Sequence, residues 1–270
     1  MNKKIIISLT SSLIMIVGVI TILYTPSKAK SEHYSGDPTV FVHGYKGTSN
    51  SFGFMLDRFE NSYQWGNKAL VYYVSSQGRV EEYNLNKGKQ EPAFVQVVFE
   101  NNRASIDDTT YWLSSALHHM KESYSIDSIN LVGHSMGGIT GLQYLQDYAG
   151  GEYPNVTKLV TIGSPFNGIY SHEYFQIHQD AGAIDLKPDS LALQLLHDKT
   201  IPENTNVLSV GSTGDTVAMP ESVQAIQSIV PSHQLEEIMI ENKRLGHSAL
   251  HESKQVDKII HSFLWQDDRR

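Results

Sequence analysis

The sequence predicts a single α/β domain, on three observations. At 270 residues the chain is long enough to bury one sizeable core. Short β-rich runs at residues 38–42, 68–74 and 93–99 alternate with stretches of helical apolar spacing. Near the middle, Gly133-His134-Ser135-Met136-Gly137 fits G-x-S-x-G, with a strand-like run at 128–132 before it. After it, Ile139, Leu142, Tyr144, Leu145 and Tyr148 give a helical pattern that runs out near Gly150-Gly151. A sharp strand-to-helix turn exposes a serine hydroxyl, and the small residues Gly133 and Gly137 let that turn close.

Composition narrows the chemistry. The chain has no cysteine, which excludes disulfides, thiol catalysis and Cys-ligated zinc and leaves an oxygen or nitrogen nucleophile. A net charge of -8, without clustered Lys and Arg, excludes a nucleic-acid binder.

The N-terminus reads as an export signal. Lys3-Lys4 precede an apolar run at 5–24, and Ser27-Lys28-Ala29 offers a cleavage site. Residues 1–29 are therefore expected to be a signal peptide or, uncleaved, a membrane anchor with its lysines inside. Either places the body outside the cell or on the outer face of the membrane. Cleavage would take the charge from -8 to -11. Residues 30–36 read as a linker and 37–270 as the folded domain.

The first strand, 38–42, runs into His43-Gly44-Tyr45-Lys46-Gly47. A glycine loop closing an early strand is where a second oxyanion donor sits in serine hydrolases, and the backbone N–H of Tyr45 is assigned to it. The N–H of Met136 is the first donor, and His43 reads as a structural histidine. A helix at 51–59 and a strand at 68–74 are scaffold. Another strand at 93–99 leads to a long amphipathic helix from Ile106 to Met120. His118-His119 on that helix face different directions and read as a solvated face rather than a chelating pair. A strand at 158–162 follows the nucleophile helix. The less regular stretch at about 169–204 sits where a cap insertion belongs. Its Tyr, Phe and Leu content fits either an apolar substrate pocket or a packed surface excursion.

The remaining strands supply the partners of Ser135. Strand 206–210 ends in a loop carrying Asp215, suited to orient a histidine, with an Asx-turn role as the plain alternative. Strand 234–241 is followed by Gly246-His247-Ser248-Ala249-Leu250-His251 and a closing helix. Both His247 and His251 qualify as the base by position. His247, in the freer loop beside Gly246, is preferred.

The order Ser135, Asp215, His247 matches the order of the α/β-hydrolase superfamily. The chain resembles that superfamily and, more narrowly, the exported cell-surface hydrolases of Gram-positive bacteria. The resemblance rests on Val40-Phe41-Val42-His43-Gly44, Leu131 to Gly138, Gly163-Ser164-Pro165-Phe166-Asn167-Gly168, Asp215-Thr216-Val217 and His247-Ser248-Ala249-Leu250-His251-Glu252. It implies a mostly parallel central sheet with helices on both faces and a small cap. It also implies hydrolase activity without settling the natural substrate; from the triad, carboxylic esters, small or lipid, are the expected substrates, with no cofactor or metal. An amidase, peptidase or acyltransferase on the same triad stays open, as does a surface-displayed binding protein without turnover. A membrane partner is expected only through an uncleaved N-terminus.

Overall fold

A computed structural model describes residues 36–85 and 91–266. The expected signal peptide or anchor at 1–29 lies outside the described residues. Among the described residues, no helix is long and apolar enough to cross a membrane.

The first strand, β1 (Thr39–Val42), is followed by α1 (Gly53–Asp57), which widens into a π turn over Arg58–Ser62. Next come β2 (Asn67–Val74), β3 (Val80–Asn84), β4 (Ala93–Phe99) and the long α2 (Ile106–Tyr124). Then β5 (Ser128–His134) feeds α3 (Met136–Asp147), and β6 (Asn155–Ile162) leads into α4 (His172–Ile177), α5 (Ala181–Asp185) and α6 (Leu191–Leu195). The chain finishes with β7 (Asn206–Ser212), α7 (Pro220–Gln224), β8 (Leu235–Ile240), a 3-10 turn over His247–Glu252 and α8 (Lys254–Trp265). The strands form one sheet in the order β3-β2-β4-β1-β5-β6-β7-β8. Only β3 pairs antiparallel.

Period-two alternation splits the core into two layers. On β1, Val40 and Val42 face the cluster containing Ile106, Leu113 and Leu117 of α2 and Ile139 and Leu142 of α3. Phe41 faces the opposite cluster, with Phe52, Met55 and Leu56 around α1 and Val256, Ile260 and Leu264 of α8. Both faces of the sheet are therefore covered, as parallel strands require. Full burial of each such side chain contributes roughly 1.5–3 kcal/mol. Helix ends follow local rules: the Ser105 side chain caps α2 by accepting from the Asp108 N–H at 3.0 Å, and Asp107 and Asp108 sit favourably in its positive first turn.

One buried ion pair ties the end of α1 to the C-terminal segment. Arg58 donates from Nε and Nη2 to the two carboxylate oxygens of Asp257, at 2.6 and 2.8 Å, and Nη2 also donates to the His251 carbonyl at 3.2 Å. Asp257 has no exposed side chain at all. The ring of His251 packs on Phe52, 6.1 Å between centroids. Burial first, then the nearby His247 and Arg58, push its pKa down to about 4.

Two stability outcomes follow. Asp257→Asn leaves a buried guanidinium without its counter-charge, and urea denaturation is expected to show a loss of about 3–5 kcal/mol; a loss under about 1 kcal/mol would mean the pair is dispensable. Folded His251 stays neutral, whereas the unfolded chain binds its proton below the ordinary histidine pKa of 6.5. Its contribution is thus complete above pH 6.5 and is lost as the pH falls toward 4. The denaturation midpoint should drop over that window, and His251→Gln should reduce the drop; equal slopes in both proteins would contradict it.

Candidate active site

The strand-to-helix turn holds Ser135 at φ 55° and ψ -129°, a conformation L residues rarely adopt. Its N–H donates to the Ile162 carbonyl at 2.8 Å, and its carbonyl accepts from the Gly138 N–H at 3.0 Å. The flanking glycines are required by close approach. A Cβ on Gly133 would lie 2.4 Å from the Gly137 carbonyl, and one on Gly137 would lie 2.3 Å from the Val42 carbonyl oxygen of β1. This crowding seats the end of β1 directly against the elbow. As the first residue of α3, Met136 presents an N–H with no intrahelical acceptor. Tyr45 lies in the turn just after β1, closed by the Gly47 N–H donating to the Gly44 carbonyl at 2.9 Å.

Strands β7 and β8 bring the distant partners to Ser135. His247 Nε2 lies 2.9 Å from Ser135 Oγ, and His247 Nδ1 lies 2.7 Å from Asp215 Oδ2. With Nδ1 protonated and donating to the carboxylate, Nε2 is left to accept from the serine hydroxyl. The other Asp215 oxygen, Oδ1, accepts from the N–H groups of Val217 and Ala218 at 2.8 and 2.9 Å. The Asx turn and the histidine contact, alternatives in the sequence, are both present, one on each oxygen. Asp215 is 3 % exposed, so its carboxylate is satisfied by these fixed donors rather than by bulk water.

Of the two candidate histidines, only His247 touches Ser135 and Asp215. His251 instead packs its ring on His134, 4.6 Å between centroids. His134 had no role in the sequence reading beyond its place in the motif. It sits between His247 and His251, and its Nε2 is 3.1 Å from the His247 carbonyl, to which it donates. Burial, and then the two neighbouring imidazoles, hold its pKa well below the ordinary value, so it stays a neutral donor pinning the turn that carries His247. His43 is structural: buried, it accepts the Phe99 N–H on Nε2 at 3.1 Å. His118 and His119 go to different neighbours, the Glu152 carbonyl and Glu82.

A cavity of about 310 Å³ opens over Ser135 and His247, lined also by Tyr45, Lys46, Tyr174 and His178. From the 169–204 stretch only Tyr174 and His178 reach it. Leu193 and Leu196 are buried in the core and Leu191 is exposed, so the leucine run supplies none of the lining. Tyr45 Oη donates to Asp180 at 2.7 Å, and Arg103 donates to Asp180 at 2.9 Å. Burial and then the Asp180 bond push the Tyr45 hydroxyl up to about 12, so it remains protonated. A larger hollow of about 830 Å³, between β8 and α8, shares no lining residue with this one.

Several solved structures share this architecture. The lin2722 gene product of Listeria innocua superposes with a TM-score of 0.74 at 24% identity, covering 86% of this chain and 95% of that one. A proposed cell surface hydrolase of Lactobacillus plantarum gives 0.65 at 20% identity, over 84% and 91% of the two chains. The mature Bacillus licheniformis lipase BlEst2 gives 0.56 at 15% identity, over 89% and 94%. At these identities the likeness is one of fold. No curated protein matches the sequence. A family model described as "Alpha/beta hydrolase of unknown function (DUF915)" matches residues 26–267, and the chain belongs to that family.

Proposed function

We propose that this protein is an exported serine hydrolase that cleaves carboxylic esters. The observation that carries the reading is the continuous hydrogen-bonded line from Ser135 Oγ through the His247 ring to Asp215. Ser135 attacks the ester carbonyl as His247 Nε2 takes its proton, and Asp215 holds the ring and stabilises the imidazolium. The negative charge that forms on the carbonyl oxygen is received by the N–H groups of Tyr45 and Met136. His247 then returns the proton to the departing alcohol. Water, deprotonated by the same ring, attacks the acyl-Ser135 ester; the bond to Ser135 Oγ breaks, His247 returns the proton to that oxygen, and the acid is freed.

Export is proposed on the basic and apolar N-terminus, with support from the Lactobacillus plantarum protein, itself a proposed cell surface hydrolase. The folded domain is taken as 37–270, behind a linker at 30–36, with about 169–204 as its cap. The substrate is a small-molecule or lipid ester; the modest cavity favours the short end of that range.

The test is hydrolysis of a p-nitrophenyl ester series of increasing chain length by the full chain. Ser135→Ala is expected to lose at least about 10⁴-fold in kcat, because the whole triad acts as one unit. Retention of the rate would remove Ser135 from the reaction. Asp215→Asn keeps an oxygen for the Val217 and Ala218 N–H groups but turns an amide NH₂ toward His247 Nδ1, favouring the wrong tautomer. Its kcat should fall roughly 10⁴-fold with little change in thermal midpoint. An active Asp215→Asn enzyme would remove Asp215 from the triad. Hydrolysis of amides in preference to every ester would move the reading to an amidase.

A further inference from the structure

The Ser135 cavity is electrostatically unlike the rest of the chain. Acidic residues outnumber basic ones 29 to 21 overall, yet the cavity lining contains the cation Lys46 and no carboxylate among the described residues, while His134 and His251 in the same lining stay neutral. Three carboxylates that contact its lining residues are already matched. Asp215 is held by His247 and two N–H groups, Asp180 by Tyr45 and Arg103, and Glu252 lies 3.6 Å from Arg58.

The backbone holds Lys46 there against its preference. Its φ of 59° lies in the left-handed region, where side chains other than glycine, asparagine and aspartate are uncommon. Three hydrogen bonds fix the turn: Lys46 N–H to the Asn102 carbonyl at 2.7 Å, Gly47 N–H to the Gly44 carbonyl, and Asn102 Nδ2 to the Gly47 carbonyl at 2.8 Å. Such over-determined strain clusters where a side chain must be delivered to a site. Lys46 directly follows Tyr45, the proposed oxyanion donor, and, although exposed, lines the same cavity as Ser135, within reach of a substrate seated there. A cavity of about 310 Å³ is at the small end for ligand sites, which leaves a bound group little room to avoid that charge.

We propose that the Ser135 cavity selects short substrates carrying a negatively charged group, and that Lys46 is the residue that recognises the charge. This rests on the ester-hydrolase reading above. The arrangement deepens that reading by naming a substrate class, anionic acyl donors, that neither the triad nor the fold dictates. Long-range attraction into a concave site also favours capture of such substrates, and it weakens with salt.

The experiment compares two substrate pairs with full-length wild type, Lys46→Gln and Lys46→Arg. In one pair the charge sits on the acyl group, mono-p-nitrophenyl glutarate against p-nitrophenyl butyrate. In the other it sits on the alcohol, 4-acetoxybenzoate against phenyl acetate. Glutamine is a fair replacement because Gln64 already occupies the same backbone region at φ 55°. For one pair, Lys46→Gln should lower the ratio of charged to neutral kcat/KM about tenfold, mainly through KM, a change expected of one lost charge contact in a partly enclosed site. Lys46→Arg should restore most of it, and raising salt from about 50 mM to about 500 mM should shrink it in wild type and Lys46→Arg but not in Lys46→Gln. Identical ratios in wild type and Lys46→Gln for both pairs would overturn the proposal while leaving the esterase reading intact. Should no ester turn over, the esterase reading fails on its own, and the charge question passes to labelling of Ser135 by neutral and carboxylate-bearing fluorophosphonates. A preference for the charged probe that Lys46→Gln abolishes then supports charge selection, and no preference overturns it.

Discussion

The closest backbone approach in the site, between the end of β1 and the elbow after β5, sets everything around it. No side chain fits at Gly137, where a Cβ would stand 2.3 Å from the Val42 carbonyl oxygen. That contact places two things at once: the strained Ser135 on one side, and the Gly44-Tyr45 turn on the other. A serine held at φ 55° costs of order 1–3 kcal/mol, and the surrounding sheet sustains it because β5 is paired with β1 over Asn130–Gly133 and with β6 over Ser128–His134. Displacing β1 by even one methyl's width would separate the nucleophile from the N–H groups proposed to receive the oxyanion, since packed interiors transmit such shifts rather than absorb them.

The acid and base reach this point from the far end of the chain, and polar contacts outside the triad fix their arrival. Asp215 uses one oxygen to build its own loop and the other to hold His247, so the loop's conformation and the histidine's orientation are set together. The turn carrying His247 is held twice more, by the His134 ring donating to its carbonyl and by Arg58 donating to the carbonyl of His251. Arg58 in turn draws on Asp257 of α8. The histidine is thereby positioned by groups from β5, α1 and α8, each rooted in a different part of the core.

Much of this was legible from residues alone because the signals were local. The apolar runs of β2, β4 and β6 and the periodic stripe of α2 announce themselves, and Gly133 to Gly137 carries the elbow in five residues. The polar Val80–Asn84 gave no such signal: Val-Glu-Glu-Tyr-Asn becomes the edge strand β3 only through pairing with β2, a tertiary effect. The short α7, opened by Pro220, was likewise missed, and α3 ends at Asp147, three residues before the glycines expected to stop it. In the site, Ser135, Asp215 and His247 were readable from chain order. His247 was already preferred over His251 for its freer loop beside Gly246, but how far the two differ needed the fold, because four residues of a 3-10 turn send one ring to Ser135 and the other toward Phe52. His134 and Lys46 escaped for a similar reason: each lay inside a quoted motif, and only tertiary packing shows what its side chain or its backbone strain does.

The most direct measurement is mass-spectrometric localisation of the adduct formed when the whole protein reacts with a fluorophosphonate. A Ser135-centred triad predicts one adduct per chain, on the peptide that contains Ser135, forming far more slowly when His247 is replaced by glutamine. A folded protein that takes up no probe, or that carries it on another residue, would contradict the central claim.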